Sequence, residues 1–310
     1  MSRWRTILLI SIPILSFIFA VTPLAHAQKM ESGREQGTVC SLSFTPLYQF
    51  DADLDLGGKF SVSRYYLGFD ASHSVSDAWR IGVGVVYDFE KYNFSGTTGF
   101  AEPEPWDEIH RLGFSLPVGY RFGKGWSLFF SPQVEFYGES GVDDLEDALS
   151  YGAAFGFSYR VNPTLTIGLG AGVFSRIKEE RFFPFITIDW KITDDLRLSN
   201  PLRVSPAGPA GLELSYRIAE GWEIGAGGAY RSLRFRLDDS GFAPSGIGEV
   251  ESLIGWGRLT YRPAPRFRLD LYAGAAFNGE MNIEDKDANH LASDDFETAP
   301  IAALTLTAEF

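Results

Sequence analysis

Arg266-Phe267-Arg268-Leu269-Asp270-Leu271-Tyr272-Ala273-Gly274-Ala275-Ala276-Phe277-Asn278 alternates with a period of two. Phe267, Leu269, Leu271, Ala273, Ala275 and Phe277 point one way, and Arg266, Arg268, Asp270, Tyr272 and Asn278 the other. In 210–218, Leu212, Leu214, Tyr216 and Ile218 oppose Glu213, Ser215 and Arg217 in the same manner. The same alternation puts Arg80, Asp88, Glu90, Arg111, Arg121, Gln133, Glu135, Arg160, Arg176, Asp189, Lys191 and Arg197 on the charged face of their strands. A soluble sandwich or barrel buries the opposite set, because charges left unpaired in a dry interior are strongly unfavourable. The apolar face therefore meets lipid, and the charged face meets water or an ion-pair network.

Working outward, period two recurs at 40–51, 59–73, 79–93, 109–122, 126–138, 148–161, 165–177, 182–192, 195–204, 210–218, 222–236, 250–262, 266–280 and 300–310. Each segment is close to the length a tilted membrane strand requires. The expected fold is all-β, a transmembrane antiparallel up-and-down barrel of about 14 strands, with about 12 as the alternative count. Tight turns fall at Ser76-Asp77-Ala78, Gly123-Lys124-Gly125, Asn162-Pro163-Thr164, Thr193-Asp194, Ala219-Glu220-Gly221 and Pro263-Ala264-Pro265. Longer connections lie between them, at 95–107, 139–147, 238–249 and 282–298. Short turns at one end and long loops at the other are the habit of outer-membrane barrels. Trp79, Trp126 and Trp222 each follow a short turn and Trp190 precedes one, as an interfacial aromatic belt requires.

Arg3 and Arg5 precede an apolar stretch from Ile7 to Val21, and Ala25-His26-Ala27 supplies small residues for cleavage. This reads as a signal peptide at 1–27, followed by a flexible segment at 28–39 and a barrel at 40–310. No later apolar run is long enough to cross a bilayer as a helix. Removing 1–27 takes away two of the 27 basic residues and none of the 40 acids, so the expected mature charge is 25 minus 40, or -15. Nucleic acid is thereby excluded as a partner. Cys40 is the single cysteine and has no internal disulfide partner, and Val39 before it breaks a lipobox.

In the run Ala302-Ala303-Leu304-Thr305-Leu306-Thr307-Ala308-Glu309-Phe310, apolar and wet positions alternate again. It resembles the terminal assembly signal of bacterial outer-membrane β-barrel proteins, a final strand of alternating hydrophobics ending in Phe, carried here by Leu304, Leu306 and Phe310. The stretches NPLRVSPAGPAGLELSY at 200–216 and WEIGAGGAYRSLRFRLD at 222–238 resemble part of a family of exported, porin-like proteobacterial barrels of uncharacterised function. The resemblance implies the fold and a place in the outer membrane, with lipid, lipopolysaccharide and the barrel-assembly machinery as partners. It implies nothing about mechanism.

Catalytic signals are weak. Outside the signal peptide the histidines are His73, His110 and His290, no Gly-x-Ser-x-Gly elbow is present, and no Ser pairs with a His and a carboxylate on adjacent inner positions. No cofactor site is expected. Glu284-Asp285-Lys286-Asp287-Ala288-Asn289-His290 begins like a calcium loop, but His290 stands where Gly belongs and Phe296 where the bidentate Glu belongs, so no metal site is assigned. Gly82, Gly84, Gly152, Gly156, Gly168, Gly170 and Gly172 fall on inner positions, where they serve curvature or leave room in the lumen.

The expected function is a porin-like channel for passive passage of small solutes. The alternatives are a non-conducting structural or surface-interaction barrel and, third, an outer-membrane enzyme. Pore-lining candidates are Arg203, Arg231, Arg234 and Arg236 as a basic wall, Asp88, Glu90 and Glu135 as a facing acidic wall, and Arg268 with Asp270. Keeping Arg231, Arg234 and Arg236 on one face requires a bulge between Tyr230 and Leu233.

Overall fold

A computed structural model describes residues 37–102, 104–201, 205–208 and 210–310. The expected signal peptide, residues 28–36 and Arg203 lie outside the described residues. One sheet holds sixteen strands. They are β1 (Thr38–Asp53), β2 (Lys59–Ser74), β3 (Trp79–Ser95), β4 (Glu108–Ser115), β5 (Val118–Phe122), β6 (Trp126–Glu139), β7 (Leu149–Asn162) and β8 (Leu165–Arg176). There follow β9 (Glu179–Lys191), β10 (Leu196–Ser199), β11 (Gly211–Ala219), β12 (Trp222–Arg236), β13 (Ile247–Ala264), β14 (Phe267–Glu284), β15 (His290–Phe296) and β16 (Ala299–Glu309).

Neighbours pair antiparallel around a ring that β16 closes by pairing with both β1 and β14. β4 and β5 are halves of one stave, since both pair with β3 and β6. The interruption is at Pro117, which has no N–H to donate. β15 folds back on the outer part of β14 as a side hairpin. Counting β4 and β5 once and leaving β15 aside, the sixteen strands make a closed barrel of fourteen staves. Closure leaves no sheet edge around most of the wall, which is what a strand fold needs in hydrocarbon; the exception is at the long-loop end beyond β10 and β11.

The faces are inverted relative to a soluble barrel. Phe44, Leu67, Phe114, Phe130, Leu169, Ile186, Leu214, Leu271 and Leu306 are exposed, whereas Arg64, Asp88, Glu90, Asp189, Glu213, Arg258 and Asp270 are buried inside. Trp79, Trp126, Trp190 and Trp222 all face outward at the end bearing the tight turns. Three of them lean on a tyrosine of the neighbouring strand, with ring centroids at 4.5 Å for Trp79 and Tyr120, 4.7 Å for Trp126 and Tyr159, and 4.5 Å for Trp222 and Tyr261.

Several expected boundaries move. Thr38 and Val39 already belong to β1, the connection at 282–298 contains β15, and the ninth strand, expected at 195–204, is the four-residue β10. Pro201, Pro206 and Pro209 follow β10, and none of them can donate to a ladder. Beyond β10, Asn200 ties off the edge of β9: its side-chain amide donates to Ile186 O at 3.3 Å and Gly211 O at 3.0 Å, and its Oδ1 accepts the Ile188 N–H at 2.9 Å. Pro184 of β9 lies past this point, where the strand keeps β8 on one side and no stave among the described residues on the other.

The shortness of β10 and β11 frees β12. Its pairing with β11 ends at Ala229, while its register with β13 runs unbroken to Arg236. On the other side Arg236 meets Gly138 of β6, from the far side of the ring, as a parallel bridge. The outer half of β12 therefore leans across the mouth of the barrel. Leu233, Phe235 and Leu237 join Phe60, Val62, Trp106, Ile254, Met281, Ile283 and Phe296 in one buried apolar cluster. At the long-loop end the interior is thus packed with hydrocarbon, where charge was expected.

Candidate functional site in the lumen

Beneath that cluster lies a layer of ion pairs built from the inner faces of β2, β3, β4, β6 and β12. Arg64 forks onto Asp88, Nε to Oδ1 at 2.8 Å and Nη2 to Oδ2 at 2.5 Å, the two-bond geometry that suits guanidinium to carboxylate. Its remaining Nη1 donates to Pro206 O at 3.0 Å, which fastens the inward-folded segment after β10. Arg111 forks onto Glu135 at 3.2 and 2.5 Å and lies 5.9 Å from the centre of the Tyr137 ring. Glu90 accepts from Arg231, from the Tyr92 hydroxyl at 3.0 Å and from the Tyr137 hydroxyl at 3.5 Å. Because Arg231 belongs to β12 and Glu90 to β3, this contact spans the lumen.

A second layer joins β11, β12, β13 and β14. Arg258 donates Nη2 to Glu213 at 2.6 Å and to Glu223 at 2.7 Å, and Nη1 to Asp270 at 3.2 Å. Arg268 completes Asp270 from the same strand at 2.8 Å, and the Trp256 indole N–H donates to Glu213 at 2.9 Å. Across β1 and β16, in register with Asp270, hydroxyls meet instead, Thr45 with Thr305 at 2.8 Å.

On β6 to β9 the inner face is aromatic. Phe129, Phe174, Phe183 and Phe185 form a separate cluster, and the inner glycines are the seats for these rings. A Cβ on Gly172 would stand 2.2 Å from the Phe183 ring, and one on Gly170 2.2 Å from Phe185. Of the expected glycine row, Gly152, Gly156, Gly170 and Gly172 have their space filled by phenylalanine, whereas a Cβ on Gly168 would meet Phe157 O and Thr187, and one on Gly82 would meet Ala71 O and Pro117.

Among the candidates, Asp88, Glu90, Glu135, Arg231, Arg268 and Asp270 lie on inner faces and are bonded to one another or to partners there. The two walls expected to face each other across water touch instead, through Arg231 and Glu90. The expected bulge in β12 is absent, so Arg234 and Arg236 point opposite to Arg231. Arg234 reaches Glu249 at 3.1 Å, Glu284 at 2.5 Å and Ile177 O at 2.9 Å. Arg236 donates to Asp147 O and Ser245 O at 3.1 and 2.7 Å. Both staple loops at the mouth and stand apart from Glu90. Arg64 and Arg258, central to the two layers, were not among the candidates; each falls on the inner parity of its strand between Val62 and Tyr66, or Trp256 and Thr260, where uncharged neighbours hide a charged face.

His73 bonds Thr38 at 3.0 Å, and His290 is exposed on β15. His110 shares hydrogen bonds with Tyr87 at 2.8 Å and Ser140 at 2.9 Å on the outer face, a Ser–His pairing that inner-face parity could not reveal. Among the described residues no group of three or more His, Cys, Asp or Glu side chains is set to hold a metal ion. In the 285–289 turn, the Asn289 side-chain amide and the N–H groups of Asn289 and Asp287 hold the Asp285 carboxyl below its ordinary range.

No protein-family model and no curated protein matches the chain. Among solved structures it is similar to a COG4313 outer-membrane channel from Pseudomonas putida F1, at 11% identity and a TM-score of 0.49 over 91% of this chain and 98% of that one. It is similar also to the Pseudomonas putida toluene transporter TodX, at 10% identity and 0.43 over 89% and 90%, and to the NanC porin, at 8% and 0.36 over 86% and 98%. It is similar as well to the translocator domain of the autotransporter NalP from Neisseria meningitidis, at 10% identity and 0.39 over 93% of each chain, so the likeness is to outer-membrane barrels, channels and porins among them.

Proposed function

We propose that the chain is an outer-membrane channel that rests closed, with the outer half of β12 and the segment after β10 as its barrier. Membrane placement is supported by the inverted faces and the tryptophan belt, and the long-loop end is then the extracellular one. The single observation that carries the closed state is the Arg231–Glu90 contact across the lumen. Beyond Ala229, β12 has a stave on one side only, and it is held to the far wall by that ion pair, by the bridge from Arg236 to Gly138, by Arg236 on Asp147 O and by Phe235 packed on Trp106 and Tyr137. Such a segment separates from the wall without breaking the ring. Passive passage of small solutes then occurs when it swings aside.

Planar-bilayer recording tests this. The purified protein is expected to be silent with brief openings, and Arg231→Ser to be open for most of the record, because Glu90 keeps Tyr92 and Tyr137 as donors and the fold survives. A steady open-pore conductance in the unmodified protein would sink the closed state. The packed mouth favours one rival, a non-conducting surface barrel, and silence of both Arg231→Ser and a variant that also carries Phe235→Ala would overturn the channel reading in its favour.

A further inference from the structure

The geometry points to a binding site for a compact, uncharged apolar molecule among the extracellular loops, apart from the lumen. Leu56 in the β1–β2 loop, Phe100 and Glu102 in the β3–β4 loop, Phe242 in the β12–β13 loop, Ile283 of β14 and Ala292 of β15 surround an open cavity of about 340 Å³. Its walls come from segments far apart in the chain, yet they are tied together before anything binds. The Asp294 carboxylate, beside the lining on β15, accepts the Leu56 N–H at 3.1 and 3.3 Å, and Asp55 N donates to Asp295 O at 3.0 Å. Phe100 is buried and forms the floor; it rests edge-on against Trp106 at 5.8 Å, and Trp106 rests on Phe235 at 5.3 Å. A preformed apolar recess bound to a rigid floor is where a small hydrophobic ligand gains most and loses least on binding.

Size and charge define the occupant. An apolar cavity of about 150 Å³ takes benzene, so 340 Å³ suits a two-ring hydrocarbon or a chain of similar bulk. Among the described residues no Arg or Lys lines the recess, and Glu102 is the one charged lining side chain, with Asp294 adjoining it. An anionic amphiphile would bring a carboxylate to carboxylates with no cation to receive it, which is strongly unfavourable in a partly dry site. A neutral ligand is therefore selected over its carboxylated counterpart. Half-exposed Phe242 and Leu56 stand at the opening as the first surfaces such a molecule meets. Phe235 of β12 backs this floor, so the site belongs to the closed arrangement; it is tested by ligand binding and the closed channel by conductance, so either reading can fail while the other stands.

The test is titration of the purified full chain, methyl-labelled at Leu and Ile, with naphthalene and with 2-naphthoate at neutral pH and low salt, following the Leu56 and Ile283 resonances. Naphthalene should produce saturable shifts, and 2-naphthoate should bind about tenfold or more weakly. Glu102→Gln should narrow that difference. Ala292→Trp should fill the recess and abolish saturation, and Phe242→Ala, which removes one wall at a half-exposed position, should weaken binding even if the tryptophan variant does not assemble. Shifts that rise linearly and equally in parent and Phe242→Ala would mean partition into detergent alone and overturn the site. Equal affinity for 2-naphthoate would overturn its selectivity.

Discussion

Arg258 on β13 reaches Glu213 on β11 by passing over Gly225 of the strand between them. Nη2 and Nε lie 2.6 and 3.2 Å from the carboxylate, and a Cβ on Gly225 would sit 3.1 Å from Nη2 and 3.4 Å from the Glu213 carboxyl carbon. The ion pair thus skips a stave, which a very small residue in the middle stave allows. Gly225→Ala should be tolerated with small adjustments of two long side chains. Gly225→Val should part the pair and leave buried charges short of partners, which costs about 3–5 kcal/mol in such settings. Urea unfolding in lipid vesicles checks it; a valine variant as stable as the parent would show that the pair contributes nothing.

Gly172 and Phe183 make a second such couple. Phe183 is buried, stacks on Phe174 at 5.6 Å and covers the glycine of the adjacent strand. Replacing the ring, Phe183→Ala, should cost about 3–5 kcal/mol. Gly172→Ala should cost about 1–3 kcal/mol by pushing the ring off its seat. In a Phe183→Ala background, however, the added methyl has nothing to displace, so Gly172→Ala should become nearly neutral or slightly stabilising. Additive losses in the double variant would mean that the glycine serves strand curvature and the ring packs elsewhere.

Alternation made the wall legible, because each outward Leu or Phe is a local statement about lipid: Leu212, Leu214, Tyr216 and Ile218 emerge exposed as their spacing predicts. The shortness of β10 was also in view, in Pro201, Pro206 and Pro209, although the alternation on either side invited a full strand. What alternation does not carry is who meets whom across the lumen. Arg231 and Glu90 are 141 residues apart, and their contact exists because β11 begins only at Gly211 and lets β12 leave the wall beyond Ala229. From Arg231 to Arg236 the pattern reads as an ordinary stave; both faces are buried because of where the strand goes, which its own residues do not encode. Phe235 is completely buried for the same reason.

Closure of the ring should depend on Phe310. Its backbone exchanges two hydrogen bonds with Cys40, N to O at 3.0 Å and O from N at 2.9 Å, while its ring stands exposed on the lipid face. These are the outermost bonds of the seam between β1 and β16 at the tight-turn end, where the last strand must meet the first. Phe310→Ser keeps the backbone bonds and removes the aromatic anchor, whereas deleting the residue removes both. Deletion should therefore leave most of the chain unassembled, and Phe310→Ser should have an intermediate effect. The measurement is the fraction of chain that migrates as compact barrel in unboiled membrane samples. Parental levels for both variants would remove Phe310 from assembly.

The Ser140–His110 pair on the outer face should be inert. Ser140 Oγ lies 2.9 Å from His110 Nε2, an arrangement that in a hydrolase would pass the hydroxyl proton to the imidazole. On the far side of the ring, however, Nδ1 meets the Tyr87 hydroxyl at 2.8 Å, and a neutral phenol stabilises an imidazolium far less than a carboxylate does. The nearest acid on the same strand, Glu108, is taken by Lys91 at 2.8 Å, and the Ser140 N–H is spent on Glu108 O at 2.8 Å. A fluorophosphonate probe should therefore label the parent no more than Ser140→Ala, and micellar p-nitrophenyl esters should be hydrolysed equally by both. Labelling that disappears in Ser140→Ala would instead make the outer rim of this barrel an esterase facing the lipid headgroups.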